Sequence, residues 1–182
     1  MNDDEYYEFC MANPNTRFER TAEGEIVIMP PAGGESSYQS GESQAELRQW
    51  AKRDGGGKAF ESSVEFILPT GALSPGTPHG SRMPALCDSQ RNNGENFFPS
   101  APSSSIEIMS FGDRLRDAKE KMKEWMRGGV ELGWLIQPDR ETIHIYRAGQ
   151  TEPEKRTGIT KLAGEGPVNG FELDLTDIWA GL

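Results

Sequence analysis

The chain has 182 residues, a formal net charge of −10 and a pI of about 4.8. This length is typical of one domain with a single sizeable core, and the acidic balance disfavours a surface that coats nucleic acid broadly, because phosphate binding needs clustered Lys and Arg. No apolar run approaches 18 residues and the acidic first residues do not resemble a leader, so we expect a soluble cytoplasmic protein without a membrane partner.

The N-terminal third predicts two helices around a hairpin. Residues 3–11 form a short amphipathic pattern, and two β-prone runs at 17–20 and 25–29 flank a turn that contains Gly24. A second helix is predicted from about residue 40 to 53, before a run of three glycines, and a strand is predicted over 59–68.

An acidic residue alternates with apolar ones at Ile106-Glu107-Ile108. In a strand this spacing points the Glu107 carboxylate to one face while both isoleucines fill the other. A sheet can present a metal ligand in this way. The same residues also fit a half-buried strand with one solvated glutamate.

A charged helix is predicted from Gly112 or Asp113 to Arg127. Its apolar residues form one stripe, and Lys119 and Lys121 fall just outside the opposite edges of that stripe. Six basic residues cluster here, interleaved with acidic ones. The pattern fits both a solvated face with i,i+4 ion pairs and a surface that faces DNA.

The C-terminal third predicts strands at 132–136 and 142–147, joined by a turn at 137–140, and shorter strands near 159–162 and 171–175. Residues 148–157 are polar, and His144 alternates with two isoleucines, which predicts a solvent-side histidine. The fold class expected for the whole chain is α+β, with a mixed or antiparallel sheet that carries helices on its faces.

Several segments together resemble the Uma-type restriction endonuclease family of the PD-(D/E)XK nuclease superfamily. They are Arg17-Phe18-Glu19, Gly24-Glu25-Ile26 to Met29-Pro30-Pro31, Ile106-Glu107-Ile108-Met109-Ser110, Lys121-Met122-Lys123-Glu124-Trp125, Gly129-Val130-Glu131-Leu132-Gly133-Trp134-Leu135-Ile136, Ile145-Tyr146-Arg147 and Gly170-Phe171. The resemblance covers residues 1 to about 75 and 106–182. It implies one nuclease domain over 1–182, with a restriction-endonuclease-like mixed sheet flanked by helices and an N-terminal β-hairpin.

The resemblance implies hydrolysis of DNA at a Mg²⁺ site built from two carboxylates. Glu107 matches the second carboxylate of the family. Met109 stands where the superfamily usually has its catalytic lysine, so Lys121 is the candidate lysine and Lys119 the runner-up. Glu19 matches an acidic position that could approach the metal through water, although an exposed hairpin carboxylate is an equal alternative. By analogy with related nucleases, a homodimer is one expected assembly.

The first carboxylate of the family is missing, because Gly76 follows Ser74-Pro75 where the family has aspartate. Residues 74–105 contain no Val, Ile, Tyr or Trp and hold five of the 12 prolines, so we expect segment 76–105 to be poorly ordered and the sheet to lack a strand.

The genetic code permits an explanation of this anomaly. In one alternate frame, codons for residues 76–81 can read Asp-Ala-Ser-Trp-Val, and codons for residues 101–105 can read Cys-Pro-Glu-Phe-Val. Both peptides match the family at these places. We therefore hypothesise two compensating frameshifts, near residues 76 and 105. They would leave this copy of the enzyme impaired; the alternative is an inactive nuclease-fold module that binds DNA or protein, or a decayed gene product.

The gene sequence tests the frameshift hypothesis directly. Reading codons 76–105 in the alternate frame should give both peptides without a stop codon. A gene whose alternate frame encodes neither peptide contradicts the hypothesis.

Overall fold

The computed structural model describes residues 1–21, 24–29, 31–54, 57–60, 66 and 101–182, and the backbone of residues 85–87. The elements are α1 (Asp3–Ala12), β1 (Arg17–Arg20), β2 (Ile26–Met29), α2 (Gly34–Asp54), β3 (Lys58–Phe60), β4 (Ala85–Cys87), β5 (Ser104–Ile108), α3 (Leu115–Arg127), β6 (Leu132–Gln137), β7 (Thr142–Arg147), β8 (Glu154–Thr157), β9 (Lys161–Ala163), β10 (Glu172–Asp174) and α4 (Thr176–Ala180). None of the described helices combines the length and apolarity needed to cross a bilayer.

The N-terminal helix and hairpin form as the sequence predicts. A capping box starts α1. The Asn2 side chain accepts a hydrogen bond from the backbone N–H of Glu5, and the Glu5 carboxylate accepts one from the backbone N–H of Asn2. Strands β1 and β2 pair antiparallel. Arg20 of β1 connects the hairpin to α1, because its guanidinium forms an ion pair with Asp3 and lies over the ring of the buried Tyr6.

A six-stranded mixed sheet in the order β3-β4-β5-β6-β7-β8 forms the centre of the fold. Its strands pair antiparallel except β5 and β6, which run parallel and are connected by α3. Parallel neighbours need such a crossover, since a tight turn cannot reverse the chain between them. The mixed sheet with flanking helices confirms the predicted fold class.

Alternation along the strands gives the sheet two different faces. Ile106 and Ile108 belong to a large apolar core with Leu47 and Trp50 of α2 and Ile178 of α4. We call this side the α2 face. The opposite side, the α3 face, contains a smaller core with residues of α3, namely Ala118, Met122 and Trp125, together with Phe66, Met109, Val130, Leu135 and Tyr146.

Three boundaries differ from the sequence predictions. Helix α2 begins at Gly34, six residues before the predicted start, because its early buried residues are Gln39, Ser40 and Ser43, which carry no apolar periodicity. Strand β8 lies in the stretch read as polar, where an edge strand needs no apolar alternation. Of the strand predicted over 59–68, β3 covers Lys58–Phe60, and most of the remainder lies outside the described residues.

The expectation that the sheet lacks a strand in segment 76–105 is corrected by β4. The backbone of Ala85–Cys87 pairs antiparallel with β3 and with β5. The paired run is three residues long. Pro84 comes directly before it in the sequence, and proline is tolerated at the start of a strand. Gly76 itself lies outside the described residues.

Aromatic packing on the α2 face provides a test of this core. The Phe171 ring stacks on Trp134 at 5.9 Å between centroids and contacts Trp50 at 5.7 Å. Replacing Phe171 with alanine should lower the free energy of unfolding by about 3–5 kcal/mol in urea titration, since a large cavity would remain. Ile28→Ala is the control, because Ile28 is 67% exposed and its loss should change stability by less than about 0.5 kcal/mol. Equal effects of the two variants would contradict this packing.

Candidate functional site

Glu107 lies in the middle of β5 with its side chain on the α3 face. Its two neighbours, Ile106 and Ile108, pack into the opposite core, as the alternation predicts. The carboxylate is fully buried, with 0% exposure, so the solvated glutamate that the sequence left open is excluded. A carboxylate inside a protein needs a charged or hydrogen-bonding partner, because desolvation of the charge is costly.

That partner is Lys121, which enters from α3. Its Nζ donates to Glu107 Oε1 at 3.1 Å, and the lysine is 1% exposed. The structure therefore brings together the carboxylate and the lysine that the resemblance selected. The helical periodicity placed Lys121 just outside the apolar stripe, whereas α3 buries it beside Met122.

Further buried polar atoms lie on the same face without a hydrogen-bond partner among the described residues. They are Ser105 Oγ, Glu107 Oε2, Trp125 Nε1, His144 Nε2 and Tyr146 OH. The strand register explains why most of them share this face, since Glu107 pairs with Leu135, and Leu135 with His144. The layer between α3 and the sheet is thus the polar interior of this protein.

His144 corrects a sequence prediction. It is buried on the α3 face and not solvent-side, because α3 packs over β7 on that face. Burial lowers the pKa of His144, and the nearby charges of Lys119 and Lys155 lower that pKa further. Both effects favour the neutral imidazole.

Tyr146 is two residues further along β7 on the same face. Burial raises the pKa of its phenol to about 12, and the negative charges of Glu120 and Glu152 contribute to this rise. Alternation alone could have placed this tyrosine on the face of Glu107, but the sequence analysis did not select it.

The two remaining candidate residues lie on β1 and α3. Glu19 is a buried residue of β1 in the N-terminal hairpin, outside the six-stranded sheet, so the exposed alternative for it is wrong. Lys119 is half-buried on α3 and lies toward His144. The structure thus favours Lys121 over Lys119 as the lysine beside Glu107.

A cleft of about 400 Å³ opens beyond the carboxyl ends of β5 and β6. The start of α2 contributes Ser36 to its wall, and the loop after β5 contributes Ser110, whose Oγ lies 2.8 Å from Ser36 Oγ. Among the described residues that line it, neither Glu107 nor Lys121 is present. This cleft and the buried ion pair are therefore different places on the sheet.

Comparison with known proteins agrees with this architecture. The model of the Uma2 family, described as "Putative restriction endonuclease", matches residues 3–176. The chain belongs to the Uma2 family. A crystal structure of a "putative nuclease belonging to DUF820" from Anabaena variabilis has a TM-score of 0.72 and 22% identity, covering 90% of this chain and 89% of that one. At this identity the likeness shows the shared fold. No curated protein matches the chain.

The described residues of this Uma2 chain do not bring together enough ligand side chains for a Mg²⁺ site. No group of three or more His, Cys, Asp or Glu side chains there could hold a metal ion. Mg²⁺ requires several oxygen ligands, whereas Glu107 supplies one free oxygen, Oε2, and Lys121 already supplies a positive charge to the other. The described part of the site is an ion pair with Glu107 as its one carboxylate.

Stability measurements can test this ion pair in the Uma2 fold. Lys121→Met should lower the free energy of unfolding by about 3–5 kcal/mol, because it leaves the Glu107 charge buried and uncompensated. The double variant Glu107→Met with Lys121→Met should recover most of that loss, since it removes both charges.

Lys119→Met is the matched control on the same helix, because Lys119 forms no ion pair with any described residue. Urea titration of the original chain, Lys121→Met, Glu107→Met and the double variant measures the coupling between the two residues, with Lys119→Met measured beside them. A double variant as unstable as Lys121→Met would contradict a paired Glu107 and Lys121.

Proposed function

We propose that this chain descends from Mg²⁺-dependent endonucleases that hydrolyse phosphodiesters in DNA, with Glu107 as a metal ligand and Lys121 as the catalytic lysine, and that this copy is impaired. The observation that carries the proposal is the buried contact of 3.1 Å between Lys121 Nζ and Glu107 Oε1. Family and fold indicate a restriction-endonuclease-like nuclease.

The impairment follows from the carboxylates. Gly76 stands where the resemblance requires the first aspartate, so the chain has no carboxylate at that position. Glu107 alone, already paired with Lys121, would hold a divalent cation poorly, since such ions are bound by several oxygens. Lys121 Nζ is paired with the Glu107 carboxylate. It would supply positive charge to a bound phosphate only if a metal ion neutralised part of the Glu107 charge.

Only part of the basic cluster on and beside α3 is free of ion pairs with described residues and could contact DNA. Lys123 pairs with Glu120 and Arg116 with Asp117, while Arg114, Lys119 and Arg127 form no ion pair with described residues. Phosphates could bind these three side chains despite the overall acidity of the chain. Cytoplasmic location and a homodimer belong to the same proposal and come from the sequence and from analogy with related nucleases.

A cleavage assay tests the proposal on duplex DNA with Mg²⁺ or Mn²⁺. The original chain should show no cleavage above background. A rebuilt chain, with codons 76–105 translated in the alternate frame to restore Ser-Pro-Asp-Ala-Ser-Trp-Val, should cleave in the presence of either ion.

In the rebuilt chain, Glu107→Ala should abolish cleavage and Lys121→Met should reduce it by about 100- to 1000-fold, as for removal of a group that stabilises transition-state charge. Lys123→Met is the control on the same helix and should retain activity, because Lys123 pairs with Glu120 on the exposed side of α3. Cleavage by the original chain that survives Glu107→Ala would refute the assigned site.

The second candidate function is a non-enzymatic DNA-binding module. The neutralisation of Glu107 by Lys121 favours it, because the pair is stable without a metal ion. This function would show as salt-dependent DNA affinity without cleavage in either the original or the rebuilt chain.

A further inference from the structure

A second ionisable side chain is buried on the α3 face, apart from the ion pair. His144 is 6% exposed, and its Nε2 has no hydrogen-bond partner among the described residues. A buried ring nitrogen without a partner is costly and therefore uncommon in a strand of a central sheet. A whole strand separates His144 from Glu107, because Leu135 of β6 pairs with both residues. His144 thus belongs to a different part of this face.

Two lysines from different elements flank His144. Lys155 of β8 pairs directly with His144, and directly opposite residues of antiparallel strands present their side chains on the same face. Helix α3 packs over β7 on this face, and its half-buried Lys119 lies close enough for its charge to act on the imidazole. We call Lys119, His144 and Lys155 the His144 cluster. It brings together basic side chains from α3, β7 and β8.

The two lysines of the His144 cluster are not neutralised by the protein. Neither forms an ion pair with a described residue, whereas Lys123 on the same helix pairs with Glu120 at 2.7 Å. The net charge of the chain is −10, so carboxylates are plentiful, yet none of the described ones pairs with these lysines. Like charges that lie near one another repel. The cluster therefore carries an excess of positive charge that an anion would neutralise.

We propose that Lys119 and Lys155 bind a phosphate-type oxyanion beside His144. Each ammonium group would donate a charge-assisted hydrogen bond to an oxygen of the anion, which is how lysine binds phosphate in proteins. Free inorganic phosphate and a phosphodiester of DNA offer this same chemistry. The cluster includes neither Glu107 nor Lys121, so it can bind an anion whether or not the proposed nuclease site functions.

A bound anion would reverse the electrostatic effect of the two lysines on His144. Positive charges disfavour the imidazolium form, whereas a negative charge close by favours it. Anion binding should therefore raise the pKa of His144, and by linkage the protonated protein should bind the anion more tightly. The two lysines are the charges that act on His144, whereas Glu120 and Glu152 act on Tyr146, two residues further along β7.

NMR titration of the full chain with inorganic phosphate tests the proposal. The chain has two histidines, so a His79→Gln variant identifies the ring signals of His144. Phosphate should raise the pKa of His144 relative to sodium chloride at the same ionic strength. Lys119→Met and Lys155→Met should each weaken phosphate binding about 10-fold, as for loss of one hydrogen bond to a charged group. Each variant should also raise the pKa of His144 without phosphate, because it removes a positive charge.

Lys52→Met is the matched control, because Lys52 is an exposed residue of α2 that forms no ion pair with described residues, and its loss changes the net charge equally. It should leave both phosphate binding and the pKa of His144 unchanged. The proposal is overturned if phosphate raises this pKa no more than chloride does and duplex DNA does not raise it either. Weakening of binding by Lys52→Met to the same extent as by the two cluster variants would also overturn it.

A short DNA duplex without terminal phosphates distinguishes the two sources of the anion. A rise in the pKa of His144 with the duplex but not with inorganic phosphate assigns the site to the DNA backbone, provided that Lys155→Met abolishes the rise. A rise with inorganic phosphate alone assigns the site to a free phosphate group. Cleavage does not enter either readout, so failure of the proposed nuclease function would leave these results unchanged.

Discussion

The buried ion pair of Glu107 and Lys121 is the interaction on which the rest of this structure depends. Two opposite charges without solvent contact cannot separate at low cost, because each would remain unpaired in a medium of low dielectric constant. The pair therefore fixes α3 against β5. Since α3 is also the crossover that makes β5 and β6 parallel, this one contact couples the helix rotation to the topology of the central sheet.

The two faces of the sheet bury different kinds of side chain. The α2 face carries the large apolar core, in which Trp134 and Phe171 stack, and it supplies most of the buried apolar surface. The α3 face carries the ion pair and buried polar atoms such as those of His144 and Tyr146. Burial shifts the pKa values of these two side chains toward their neutral forms, so the charge on this face is concentrated in the ion pair.

Local patterns in the sequence predicted local structure well and long-range packing poorly. Alternation around Glu107 identified its face, and the apolar stripe identified α3, because both depend on neighbours in the chain. The choice of Lys121 as candidate lysine came from the family resemblance, and its burial was not predicted, since periodicity placed it outside the edge of the stripe. His144 was assigned to solvent because alternation does not show that α3 packs over this face of β7.

Charge explains how a chain without the first aspartate can keep Glu107 buried. One carboxylate and one ammonium group sum to zero, so the described site needs no further cation. A second carboxylate beside Glu107 would bring the local charge to −1 and create the demand that a divalent ion satisfies. On the proposal that Gly76 stands in place of that aspartate, the ion pair would both remove the need for a metal ion and leave too few oxygens to hold one.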